Sequence, residues 1–321
     1  MDLGLTSHER VFYQLRAEGV LMWKALAFAL CLTMAPTALA QQTGEPPFEV
    51  VRESLAPGGF LLGRTTPSAN LRFETQRSDR AGAVTDVTVQ LSADANGYFL
   101  LGFDRDARAA QRLTIAGAGG TERIVPIAIG PREYAVRDVW DVALAGEDFA
   151  QTPQQELQLK DRALRTVSMP PDFGERFLSA DPFGHPLALL QTTSAWGNSR
   201  RVHNRAREVI SNRPHYGLDL RADVNTQVRA PMGGRVSLAR RFRVDGNILM
   251  IDHGQGLVSA YLHLNRILVS EGDELSAGQL IAATGRTGRA NGPHLCWRLR
   301  WRDTASLDPA CFTDAGCGGI Q

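Results

Sequence analysis

Apolar and polar residues alternate in short runs along most of this chain, and turn residues break the runs at close intervals. Residues 70–75 alternate through Leu71 and Phe73. Residues 84–91 alternate again, then meet Asp94-Ala95-Asn96-Gly97 before the apolar stretch 98–103. A period of two is that of a strand with one covered face. The Asn96-Gly97 pair between two such runs predicts a hairpin. Leu113-Thr114-Ile115, a glycine-rich turn at 117–120 and the run 124–129 predict a second one. Residues 46–137 therefore read as a small β-sandwich without a constellation of catalytic side chains. Binding, positioning and purely structural roles all remain open to it.

The texture changes over 138–190, which reads as a helical and extended linker. Residues 154–164 are rich in good helix formers. Met169-Pro170-Pro171 should end that helix, and Pro182 and Pro186 should keep the next stretch extended. Strands return at 216–220, 227–230, 234–239, 247–253, 257–264, 280–283 and 294–301. Several of these alternate and several are continuously apolar, as in an antiparallel sheet with one or both faces covered. Residues 198–213 are rich in Arg and Asn and read as a loop. The fold class expected is mainly β: an N-terminal sandwich, a linker, and a C-terminal antiparallel sheet domain over 191–310.

A length of 321 residues suits two such domains. A net charge of +1 gives no global steering toward nucleic acid or anionic lipid. Residues 22–40 carry one lysine, a short apolar core and a small-residue ending at Ala38-Leu39-Ala40. This reads as a secretory signal cleaved after Ala40, with Met22 as the true start and 1–40 as the signal region. The run is short for a span and Pro36 breaks it, so no stable membrane span is expected after cleavage. The expected location is the periplasm or the exterior, an oxidising setting. Cys31 leaves with the signal. Cys311 and Cys317 lie close enough in the tail 311–321 to pair, which leaves Cys296 as the odd cysteine.

The candidate chemistry begins at Pro214-His215-Tyr216-Gly217-Leu218-Asp219. On a strand, residues i and i+4 share a face, so His215 and Asp219 can reach one point. Together they are two-thirds of a catalytic zinc site, which uses three protein ligands and keeps one position open. Alone, His-x3-Asp is a common pattern. The chain adds His263 in Tyr261-Leu262-His263-Leu264, and His294 in Gly292-Pro293-His294-Leu295-Cys296. His294 and Cys296, two apart, share a strand face. His185 and His203 read as loop residues, and His253 as a structural hydrogen-bonder.

These three segments, in this order, resemble the LytM-type (lysostaphin-like) zinc metallopeptidases, which cut peptide cross-links in bacterial cell walls. The family pattern is His-x3-Asp, then Tyr-x-His-Leu, then Gly-Pro-His-Leu-His. The chain matches it except at the last histidine, where Cys296 stands. Arg229-Ala230-Pro231, Ile251-Asp252-His253-Gly254 and Gly285-Arg286-Thr287-Gly288-Arg289 match as well, and Ser194-Ala195-Trp196-Gly197 resembles the family's Ser-x-Phe-Gly entry strand with Trp in the aromatic place. The resemblance covers about 191–310. It implies a Zn2+ held by His215, Asp219 and Cys296, with His263 and His294 as the acid/base and transition-state-stabilising pair. It implies an exported peptidoglycan endopeptidase acting on stem peptides. Two anionic ligands would cancel the metal's charge, so reduced activity is expected. The alternative it implies is a non-catalytic module that binds cell wall or activates a partner wall hydrolase.

Overall fold

The structure is a computed structural model that describes residues 44–79, 83–140, 154–165, 173–178, 184–204, 206–314 and 316–317. The expected signal segment, Met169-Pro170-Pro171 and Pro182 lie outside the described residues.

The N-terminal half folds into two antiparallel sheets. One is β1 (Glu49–Ser54), β2 (Phe60–Arg64) and β5 (Tyr98–Gly102), in that order. The other runs β4 (Val84–Ser92), β3 (Asn70–Ser78), β6 (Ala110–Ala116), β7 (Glu122–Ala128). The alternation works as read: Leu71 and Phe73 are buried while Asn70 and Arg72 are exposed. β6 and β7 form the expected hairpin. The Asn96-Gly97 turn does not close one, because β4 pairs with β3 and β5 pairs with β2. The Asp94 carboxylate accepts from the N–H groups of Asn96 and Tyr98, both at 2.8 Å, and Gly97 adopts φ 89°. The turn is tight, but it hands the chain from one sheet to the other. Local turn chemistry sets the reversal; the sheet each flank covers decides its partner.

The C-terminal half is built on an eight-stranded sheet. Its order is β18 (Glu274–Leu275), β14 (Gly234–Phe242), β15 (Gly246–Gly254), β16 (Leu257–Leu264), β20 (His294–Trp301), β12 (Leu218–Arg221) and β9 (Thr192–Ser194). β21 (Ala305–Leu307) adds to β20 beyond its turn. A small sheet of β13 (Gln227–Arg229), β19 (Leu280–Ala283) and β17 (Arg266–Ile267) packs alongside. Along β20 the alternation is clean. Leu295, Trp297, Leu299 and Trp301 enter the main core. Cys296 faces the other way and joins Leu262, Met250 and Ala163 in a second cluster. Ala163 comes from α1 (Gln154–Arg165), which covers this second face and sets Lys160 Nζ 2.5 Å from Asp245 Oδ2. A short helix, α2 (Phe173–Leu178), buries Phe173 and Phe177.

The main core runs through both halves. Phe60 stacks on Phe312 at 4.3 Å, and Phe73 meets Trp301 edge-on at 6.0 Å. A Cβ added at Gly102 would stand 2.6 Å from Trp301 Cβ. The Cys311–Cys317 disulfide forms beside Phe312, and Cys296 stays a buried free thiol.

Residues 198–213 are not the loop that their composition suggests. β10 (Ser199–His203) and β11 (Val209–Pro214) pair as an antiparallel hairpin, and β8 (Val136–Trp140) joins β10 in parallel. Val202 is the one buried side chain in these three strands. The sheet therefore leaves almost no apolar signature, and backbone pairing with a distant strand sustains it. Among the described residues no helix is long and apolar enough to cross a membrane.

Candidate metal centre

The site is a row across the large sheet. Register sets Asp219 directly opposite Cys296 on one side and Ser194 on the other, with Leu262 beyond Cys296. Directly opposed residues share a face, so carboxylate and sulfur converge by pairing rather than by their distance along the chain. His215 arrives differently. β12 begins only at Leu218, so His215 reaches the row from the link after β11 and not from strand alternation. Its Nε2 lies 3.2 Å from Asp219 Oδ1 and 3.8 Å from Cys296 Sγ. All three donor atoms lie within 4.8 Å of one another, and all three residues are buried. Gly217 permits the approach: a Cβ there would stand 2.7 Å from Cys296 Sγ and 3.2 Å from His215 Nε2.

His263 and His294 stand beside the cluster with ring centroids 4.9 Å apart. His294 shares the Cys296 face, and its Nε2 is 3.8 Å from Asp219 Oδ1. Its Nδ1–H donates to the Gly292 carbonyl at 2.9 Å, which leaves Nε2 as an acceptor. Strict alternation would put His263 on the Tyr261 face, in the main core. Instead the pairing of β15 with β16 slips between Asn247 and Leu249, and His263 takes φ 61°. The bulge turns the ring toward His294. Three contacts secure it: His263 N–H to Asp245 O at 2.9 Å, Nδ1–H to Thr287 O at 2.8 Å, and the Asn247 side-chain amide to Leu264 O at 2.9 Å.

Burial dominates the electrostatics. It pushes the His215 imidazolium down, so the ring is held neutral with a lone pair to give. It pushes His263 down to about 4, helped by the neighbouring His294. It pushes the Cys296 thiol up to about 12, against the pull of Arg298. Burial also opposes the charge on Asp219, but His215, Arg200 and His294 outweigh it and hold the carboxyl well below the usual carboxylate range. Arg200 Nη2 donates to Asp219 Oδ2 and to Ser194 Oγ, the latter at 3.0 Å.

Asp219 Oδ1 is buried and, despite the nearby imidazole, has no hydrogen-bond donor. An orphaned buried carboxylate oxygen is expensive. A neutral imidazole, a carboxylate and a sulfur that a bound cation would ionise to thiolate are donors that zinc accepts, at about 2.0–2.3 Å each. The residues present therefore fit a zinc ion.

The five residues picked out from the sequence, His215, Asp219, His263, His294 and Cys296, thus come together. His253 lies apart, buried between the Gly233 carbonyl and Ser259 Oγ. His185 pairs with Asp314, and His203 with Asp138. Arg200, Ser194, Gly217 and Thr287 escaped notice as site residues. Arg200 lies in the 198–213 stretch, whose composition suggests a loop, and a single buried side chain two residues on, Val202, leaves no strand pattern that would place it.

Residues 213–309 match peptidase family M23. Over 115 residues the chain is 39% identical to the peptidoglycan DD-endopeptidase ShyA of Vibrio cholerae, spanning 36% of this chain and 26% of that protein. Over 88 residues it is 38% identical to the DD-carboxypeptidase/endopeptidase Mpg of Neisseria meningitidis, spanning 27% of this chain and 20% of that one. The matched stretch thus spans about a quarter or less of these relatives. A crystal structure from Pseudomonas aeruginosa assigned to peptidase M23 shares the fold, with TM-score 0.54 and 23% identity over 81% of this chain and 95% of that one. Residues 213–309 of the C-terminal sheet thus carry the match to the LytM-type M23 peptidases, on a mainly β framework shared with that crystal structure.

Proposed function

We propose that this protein is an exported zinc-dependent endopeptidase that hydrolyses peptide cross-links of peptidoglycan. The observation that carries the reading is the convergence of one donor atom each from His215, Asp219 and Cys296 within 4.8 Å. Peptidoglycan as substrate is inferred from the relatives named above. Action in the periplasm or outside the cell follows from that substrate and from the expected signal over 1–40.

His215, Asp219 and Cys296 would hold the ion. When bound, zinc supplies Lewis acidity, polarising a scissile carbonyl and lowering the pKa of its water to about 7. Arg200 holds Asp219 Oδ2 and so turns Oδ1 toward the other two donors. The Nε2 atoms of His263 and His294 are both acceptors, because each Nδ1–H is committed to a carbonyl. One of the pair takes the proton of the attacking water. The same ring then returns that proton to the leaving amine, a step that the depressed basicity of His263 favours. Two anionic donors leave less positive charge at the ion than one would, so turnover is lower than with a histidine at position 296.

The test is zinc content of the gently purified protein, followed by digestion of cross-linked muropeptides with and without chelator. One bound zinc and chelator-sensitive cleavage support the reading. A protein that holds no zinc and cuts nothing, yet binds sacculi, is the non-catalytic wall-binding module instead.

A further inference from the structure

The three-stranded sheet beside the centre carries an arginine on each strand at one level. Register sets Arg200 of β10 directly opposite Arg137 of β8 and directly opposite Arg213 of β11. Directly opposed residues share a face, with Cβ atoms about 4.5–5.5 Å apart. Arg200 fixes where this face looks, because its guanidinium reaches Asp219 and Ser194. Arg213 also stands two residues before His215. The row Arg137–Arg200–Arg213 therefore borders the candidate metal centre, and Arg137 and Arg213 are exposed.

The two faces of this sheet handle charge differently. On the opposite face Asp138 neutralises its neighbours, 2.7 Å from His203 Nε2 and 3.6 Å from Arg201 Nη1. On the arginine face Asp219 answers Arg200. Among the described residues the Arg137 and Arg213 side chains have neither hydrogen-bond nor ion-pair partner. Like charges directly opposite one another weaken a sheet, so this row is a cost that the fold itself does not offset. Guanidinium forks match carboxylates in a bidentate way that few other ligands can use as well.

We propose that Arg137 and Arg213 form a carboxylate subsite that seats an acidic group of the peptide substrate next to the bond to be cut. The proposal rests on the hydrolase reading above and names the substrate feature that site selects. Peptidoglycan stem peptides offer such groups on their glutamate and diaminopimelate residues, and amidation removes the charge while keeping the shape. The subsite thus makes the protein a discriminator between free-acid and amidated stem peptides.

The experiment is calorimetry of the purified full-length protein with a soluble stem tetrapeptide, as the free acid and as the amide. Wild type is compared with Arg137→Gln, Arg213→Gln, the double variant, and Arg213→Lys, with thermal melts confirming that each is folded. Loss of one charge-assisted fork predicts free-acid binding weaker by about tenfold per arginine. The double variant should bind acid and amide alike, and Arg213→Lys should keep part of the preference. A double variant that binds both peptides as wild type does overturns the subsite. The two readings fail separately. A wild type that prefers the acid but cleaves nothing keeps the subsite and loses the hydrolase. A wild type that cleaves acid and amide cross-links with equal KM, unchanged in the double variant, keeps the hydrolase and loses the subsite.

Discussion

Tyr261 and His263 lie two residues apart on one strand, yet Tyr261 is buried in the main core while the His263 ring faces His294 at 4.9 Å. A regular strand would send both the same way. The φ of 61° at His263 breaks the alternation, at a cost of about 1–3 kcal/mol for a non-glycine residue. Strain retained beside a buried donor cluster is most simply tied to what that cluster does.

His263→Asn is therefore the informative change at this bulge, because Asn tolerates a left-handed backbone. The variant should fold and keep its zinc. Turnover on cross-linked muropeptides should fall by about 10²–10⁴-fold, the usual worth of a proton-transfer group. Zinc content measured beside the digestion separates lost proton transfer from a lost ion.

On the zinc reading proposed above, position 296 sets the charge of the centre. Cys296→Ala should cost zinc affinity, read by competition with a chromogenic chelator. Cys296→His should keep the ion and raise turnover, because a neutral donor leaves it a net positive charge. Cobalt substitution gives an independent check: the wild type should show a thiolate-to-cobalt absorption band that both variants lack.

Gly217 is required for space rather than for backbone freedom. A Cβ there would stand 2.7 Å from Cys296 Sγ and 3.1 Å from Arg298 Cγ. Gly217→Ala should cost about 1–3 kcal/mol of stability through overpacking. It should also lower zinc affinity, because the sulfur has to move. Titrating zinc into the folded variant, beside a melt of both forms, measures the two effects.

His253 predicts an acid limit to stability. Burial holds it neutral, pushed down to about 4, with one ring nitrogen on the Gly233 carbonyl and the other on Ser259. The unfolded chain protonates this ring near 6.5. Between those values the unfolded state binds the extra proton, so stability falls as pH drops from about 6.5 toward 4. The full shift is worth about 3 kcal/mol. Denaturant midpoints across that range should decline, and His253→Gln should flatten the decline.

The continuous core predicts a single unfolding transition. Gly102 lies against Trp301, with room for no Cβ. Gly102→Ala should lower the midpoint seen by tryptophan fluorescence and by far-UV circular dichroism together, by about 1–3 kcal/mol. Separate shifts in the two signals would mean that the halves unfold independently.

The long strands of the large sheet, β14, β15, β16 and β20, and β12 beside them were legible because each buries at least one face, and burial writes itself into the sequence as alternation or as an apolar run; the short β9, β18 and β21 were not. The strand at Leu280–Ala283 and that at His294–Trp301 were readable to the residue. The helix Gln154–Arg165 announced itself through its helix formers. The three-stranded sheet did not, because its one buried side chain, Val202, leaves no pattern to read. The turn at Asn96-Gly97 was visible, but not the sheets that its flanks would join.

The same division runs through the site. The sequence by itself determined the chemical inventory: an imidazole, a carboxylate and a thiol in motif spacing, with two further histidines. Residue type is carried by the chain and needs no partner. Only the tertiary structure decided that Asp219 would face Cys296 across a register, that a bulge would turn His263 outward, and that Arg137 would line up with Arg200 and Arg213 from a strand more than sixty residues away. Those are facts of strand pairing, and pairing depends on which segments meet rather than on what either segment says alone.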